Sequence, residues 1–229
     1  MNKDKKELVS AYTHLGGAIL SIVGFFALLT KGLETNDFTI KISAVVFGLS
    51  MIFLYSMSAT YHMVDSSKTK AKLTLRKIDH IMIFFLIAGS YTPICLITFK
   101  GLLIGKVLLI VVWSIALIGL FIKLFWINAP RWVCSGLYIA MGWVAIFAIK
   151  PIITYFDSAA IFWLFAGGII YTVGGVIYGL KKPNFNFKNF GFHELFHIFI
   201  LLGSFCHFIM IYCFIIWYDK CRYIKIIIE

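Results

Sequence analysis

The sequence predicts an all-α integral membrane protein, a bundle of seven transmembrane helices. Three observations carry this. Hydrophobic residues make up 61% of the 229 residues, and Asp, Glu, Lys and Arg only 14%, where a soluble domain carries about 25%. The apolar residues gather into seven runs, each near the roughly 20 residues a helix needs to cross a bilayer. The runs are continuous rather than alternating, which excludes a transmembrane β-barrel.

The first run, Ala11–Leu29, follows Lys3, Lys5 and Lys6. It is too long for a signal-peptide core, contains His14 and lacks a small-residue cleavage site, so it reads as the first span. The second run is Ile42–Met63. The third is Ile78–Phe99, which Pro93 is expected to kink. The fourth, Leu102–Phe125, has Lys106 and Lys123 near its ends, where long side chains can snorkel to the headgroups. The fifth is Trp132–Ile149. The sixth, Ala159–Leu180, carries Gly167, Gly168, Gly174, Gly175 and Gly179, a small-residue face for close helix packing. Asn184–Phe190 alternates polar and aromatic residues, as an interfacial lead into the seventh run, Phe192–Trp217. The gaps are short, so residues 1–229 form a single membrane domain with no soluble domain added.

The net charge of +11 would suggest nucleic acid if it formed one patch. The basic residues instead sit in the short gaps, where they set orientation. With the N-terminus inside, 13 Lys and Arg fall on the cytoplasmic side and 8 outside. Lys68, Lys70, Lys72, Arg76 and Lys77 dominate that difference. The expectation is a multi-pass cell-membrane protein, N-terminus cytoplasmic and C-terminus outside, with membrane lipid as its surroundings and no nucleic-acid partner. Cys95, Cys134, Cys206, Cys213 and Cys221 form no CxxC pair and read as small apolar residues rather than a disulfide or zinc framework.

All six histidines lie in the runs or at their ends, together with Asp79 and Glu194. Ionisable residues inside a membrane are costly and default to functional candidates. Because the chain alternates direction, His14, His62, Asp79, His80, His193 and His197 all fall in one layer, cytoplasmic by the charge rule. His207 lies ten residues beyond His197 and reads as a buried hydrogen-bonding residue. His193-Glu194-Leu195-Phe196-His197 is an HExxH string. Its i, i+4 imidazoles share a helix face and can hold one metal. Zinc suits imidazole and needs a further ligand, for which His62 stands at the right height. Ser58, one turn before His62, can reach the site, and Asp79 can hold a metal-bound water, whose pKa zinc lowers to roughly 7. Glu194 points about 100° away from His193, so it reads as facing the headgroups, with a role as a base the alternative. His14 and His80 read as structural or supporting residues.

These residues also carry a resemblance. Glu7, Thr13-His14, Gly16-Gly17, Ser58-Ala59-Thr60-Tyr61-His62, Asp79-His80, Ala88-Gly89-Ser90-Tyr91-Thr92-Pro93 and Gly191-Phe192-His193-Glu194-Leu195-Phe196-His197 occur in the order of the hemolysin III proteins. The chain resembles that family, the bacterial branch of the progestin and adipoQ receptor family, over nearly its whole length. It departs at Ser10, where Asn is expected. The resemblance implies seven helices with the N-terminus inside. It implies zinc on His62, His193 and His197, Asp79 on a zinc-bound water, and Ser58 nearby. Animal relatives look like lipid-amide hydrolases of ceramidase type, and bacterial members are named for haemolysis.

The leading expectation is a zinc-dependent intramembrane hydrolase acting on a lipid amide or ester, with Asp79 as general base and then acid. A pore-forming cytolysin is the alternative, and a receptor or membrane-state sensor with structural zinc is a further one. A retinal protein is excluded because the seventh run contains no lysine. An intramembrane metalloprotease is disfavoured because HExxH lies in the last span, with no later span to supply an Asp ligand.

Overall fold

The structure, a computed structural model, describes residues 2–65, 67–183 and 190–216. Every regular element among them is helical. α1 spans Asn2–Leu33, α2 Phe38–Met63, α3 Thr69–Pro93, α4 Leu103–Phe125, α5 Arg131–Gly142, α6 Ile149–Tyr155, α7 Ser158–Leu180 and α8 Phe192–Ile209. A π-turn, Ile94–Thr98, extends α3, and another, Met210–Ile215, extends α8; a 3₁₀ segment, Trp143–Ala148, joins α5 to α6. Seven of these continuous stretches are long and apolar enough to cross a membrane. The protein is a seven-helix, multi-pass membrane bundle. The expected Asn184–Phe190 interfacial segment, Trp217 and Cys221 lie mainly outside the described residues.

Apolar run length locates the spans but underestimates several helices. α1 starts well before Ala11 and α3 well before Ile78, because helix hydrogen bonding continues into polar sequence. α2 begins four residues early for a local reason. Asp37 is its N-cap, accepting from the Thr39 N–H at 2.8 Å and the Thr39 hydroxyl at 2.7 Å. Partial burial works against the Asp37 charge, but Lys100 and Thr39 outweigh it and hold the carboxyl below its usual range.

The fifth span departs most from expectation. The run Trp132–Ile149 predicts one continuous helix, whereas the structure breaks it at Gly142 and continues it to Tyr155. Tyr91 of α3 covers the break. Its hydroxyl donates to the Gly142 carbonyl at 2.5 Å and accepts from the Ala145 N–H at 2.8 Å. Backbone groups freed by a broken helix need such partners where no water reaches. At Pro93, where a kink is expected, the regular part of α3 ends and a π-turn follows. The Thr92 hydroxyl bonds back to the Ala88 carbonyl at 3.0 Å.

Outward faces carry exposed Leu20, Phe26, Ile110, Phe121, Phe147 and Phe162, as lipid contact requires. Inside, α1 packs on α2 and α8, α2 on α3, and α7 on α5 and α8. The glycines of α7 serve two neighbours. A Cβ on Gly174 would lie 2.7 Å from Phe199 of α8, and one on Gly175 would lie 3.1 Å from Ile139 of α5. Gly168 meets nothing within 4 Å, because it borders a cavity.

One correction concerns Lys123. A snorkelling side chain is expected near the end of α4, yet Lys123 is 0% exposed and its ammonium donates to the Cys134 sulfur at 2.7 Å. Its stem points inward, where α5 offers a soft acceptor. Cys95, Cys134 and Cys206 are buried as expected, while Cys213 is exposed.

Candidate metal centre

Two helices deliver three imidazoles to one point. α2 places His62 in its last turn, and α8 places His193 and His197 one turn apart on the same face. One nitrogen from each ring falls within 4.8 Å of the others. The ring centroids are 5.1 Å apart for His62 and His193, 5.0 Å for His62 and His197, and 4.6 Å for His193 and His197. The buried Nε2 of His62 and Nδ1 of His197 have no hydrogen-bond partner. Leaving one such buried polar group unmatched costs about 1–3 kcal/mol. Unmatched nitrogens on two of three converging rings fit a metal that accepts imidazole ligands.

Nδ1 of His62 and Nδ1 of His193 have partners. His62 Nδ1 lies 3.0 Å from the Glu7 carboxylate, which also accepts from Lys72 Nζ at 3.0 Å. A proton on Nδ1, given to Glu7, leaves the Nε2 lone pair free to bind a metal. Lys72 also donates to the Val64 carbonyl at 3.1 Å, tying the start of α3 to the end of α2. The Ser10 hydroxyl of α1 lies 3.3 Å from His193 Nδ1 and donates to Glu194 at 3.2 Å. His14 stacks on His197 with centroids 3.7 Å apart and planes 19° apart, and the Tyr55 ring meets the edge of His14.

Several expectations change here. Glu194 does not face the headgroups. It is buried and accepts from the Gly191 N–H at 2.7 Å, closing over the start of α8, where backbone donors lack helical partners. Ser10, the departure from the expected Asn, is buried and contacts His193 and Glu194. His207 is buried as expected, but its Nδ1 makes no hydrogen bond. The sequence marks Glu7 only as part of the resemblance and gives no sign of its contact with His62, 55 residues away.

Ser58, Asp79, His14 and His80 line the same cavity as His193 and His197. Ser58 is within side-chain hydrogen-bonding reach of Asp79. Asp79 is not one of the three converging groups; it stands on the wall beside them. A second, almost wholly apolar cavity adjoins this polar one, sharing Leu54, Tyr138, Tyr178 and Ile200. It runs between α2, α3, α5, α7 and α8 as far as His207.

A family model described as haemolysin-III related matches residues 2–208. The chain belongs to the haemolysin-III related family. It is 38% identical over 213 residues to the hemolysin-3 homolog of Bacillus subtilis (strain 168), covering 91% of this chain and 95% of that protein. It is 36% identical over 200 residues to hemolysin-3 of Bacillus cereus, covering 87% of each. A more distant similarity, 25% identity over 223 residues, is to the adiponectin receptor protein of Drosophila melanogaster, covering 88% of this chain and 49% of that one. The family match begins at residue 2 and so includes Glu7, Ser10 and His14.

Proposed function

We propose that this haemolysin-III related protein is a zinc-dependent intramembrane hydrolase of a lipid amide or ester, its site opening toward the cytoplasm. The observation that carries the reading is the junction of two cavities. A pocket lined by His193, His197, Ser58 and Asp79, with His62 converging on the same two histidines, shares its walls with an apolar cavity suited to an acyl chain. Zinc on the three histidines would supply a Lewis acid that polarises a carbonyl and makes a bound water acidic near neutral pH.

The chain's own residues account for the rest. Glu7 and the Ser10–Glu194 pair fix the rings of His62 and His193. Ser58 steadies Asp79. Asp79 takes the proton of the attacking water as general base and returns it to the leaving nitrogen or oxygen as general acid. The apolar walls exclude bulk water and align the acyl chain, so that its carbonyl stops where the pocket turns polar.

The test uses detergent-purified protein with its metal content measured. Incubation with a panel of N-acyl and O-acyl lipids is expected to release fatty acid, and Asp79→Asn to stop release while zinc stays bound. Protein that holds one zinc per chain and cleaves no member of a broad panel would sink the hydrolase reading. The names of the two Bacillus relatives suggest membrane lysis instead. Liposome leakage that survives replacement of His62 and His193 would favour that reading.

A further inference from the structure

Two residues on the wall of the apolar cavity carry a buried polar atom that their surroundings leave unmatched, Ser135 near the start of α5 and His207 far along α8. His207 lies on the cavity wall and is 8% exposed, yet its Nδ1 is buried without a hydrogen-bond partner. Its neighbours are already engaged. Tyr171 stacks on the His207 ring, centroids 5.4 Å apart and planes 16° apart, but its hydroxyl is turned to Ser204 at 2.7 Å. Ser204 also meets the Tyr55 hydroxyl at 2.5 Å, and Tyr55 donates to the Ile200 carbonyl at 3.3 Å. This network closes on itself and leaves the imidazole out. Gly167 sits where a Cβ would lie 2.8 Å from His207 Nε2, so α7 gives the ring space but no hydrogen-bonding side chain at that position.

A buried imidazole is a poor wall for a plain hydrocarbon, because it offers a donor and an acceptor that a methylene chain cannot use. It suits a chain with an oxygen at that depth. The depth follows from the helix. Ten residues separate His207 from His197, about 15 Å along α8. With C–C bonds near 1.5 Å, a zigzag chain advances about 1.3 Å per carbon, so His207 lies about a dozen carbons from the histidine cluster.

We propose that the cavity selects an acyl chain bearing a hydroxyl or keto oxygen about a dozen carbons from its carbonyl, and that His207 is the residue that recognises it. The proposal rests on the reading above that an acyl chain occupies this cavity, but it does not need turnover. His207 determines specificity and takes no part in the chemistry.

The experiment measures displacement of a fluorescent fatty acid from zinc-loaded, full-length protein in detergent. The competitors are octadecanoic, 3-hydroxyoctadecanoic and 12-hydroxyoctadecanoic acids. The 12-hydroxy acid is expected to bind about tenfold more tightly than the unsubstituted acid, the worth of one satisfied buried hydrogen bond. The 3-hydroxy acid should show no gain that depends on His207. His207→Phe should erase the 12-hydroxy preference and leave octadecanoic acid binding within about twofold, while His207→Gln, which keeps a donor and an acceptor, should retain much of it. Equal affinities for the 12-hydroxy and plain acids in the wild-type protein would overturn the proposal and leave the acyl cavity standing; this comparison needs no variant to fold. A preference that survives in His207→Phe would overturn the role of His207. Failure of any of the acids to displace the probe would overturn both the proposal and the acyl cavity beneath it.

Discussion

Glu7→Gln tests whether the first helix shapes the metal centre. Glu7 contacts His62 at Nδ1, 3.0 Å away, and leaves Nε2 of the same ring unmatched. Removing a carboxylate that orients a ligating histidine typically weakens metal binding 10–100-fold, or about 1.4–2.7 kcal/mol. Two features place this site toward the lower end. The same carboxylate oxygen is shared with Lys72, and the Glu7 side chain is 27% exposed. Glu7→Gln keeps a carbonyl oxygen for His62 and loses the charge, so about 10–30-fold is expected. Glu7→Ala leaves His62 Nδ1 with no partner and should approach 100-fold. Lys72→Met frees the carboxylate for His62 and should not weaken zinc binding. The assay is competition with a chromophoric chelator in detergent, with helix content checked for each variant. Wild-type affinity in both Glu7 variants would refute the reasoning. So would a loss in Lys72→Met equal to that in Glu7→Ala, since Glu7 would then act only by packing α1 against α3.

Four further outcomes are expected. Replacing His193 and His197 together should take bound zinc from about one per chain to near none by elemental analysis; little change would remove the metal centre. Asp79→Asn should lower lipid hydrolysis by about 10²–10⁴-fold with zinc content unchanged. Tyr91→Phe strips the break in the fifth span of its donor and acceptor and should cost about 1–3 kcal/mol, read as a lowered thermal midpoint in detergent. Asp37→Ala removes the cap of α2 and should cost about 1 kcal/mol at neutral pH. The Asp37 carboxyl is held below 3.8 in the folded protein, so its stabilisation is complete above that value and fades as pH falls through the lower folded value. The gap between wild type and Asp37→Ala should therefore close only in strong acid, and a gap that closed near pH 6 would contradict the assignment.

Much of the architecture is legible without coordinates because hydrophobic run length in a membrane protein is nearly a direct reading of the spans. The histidine layer is legible for a related reason: alternating direction fixes which run ends meet, and i, i+4 spacing fixes which side chains pair. The broken fifth span is not legible, because Trp143–Ala148 is as apolar as its flanks and the break depends on a tyrosine from α3. For Glu194, helix angle gives a direction but not whether the carboxylate turns back to cap its own helix. For Lys123, charge and depth point to the headgroups, and the Cys134 acceptor that draws it inward comes from another helix.

The groups around the histidine cluster come from opposite ends of the polypeptide. Ser10 reaches residues 183 and 184 positions away, and both HExxH histidines belong to α8, which six other spans precede. The cluster therefore cannot exist during most of synthesis. Six earlier spans enter the bilayer with His62 and Glu7 waiting. On the zinc reading proposed above, chains truncated before residue 192 should be membrane-inserted but retain no zinc.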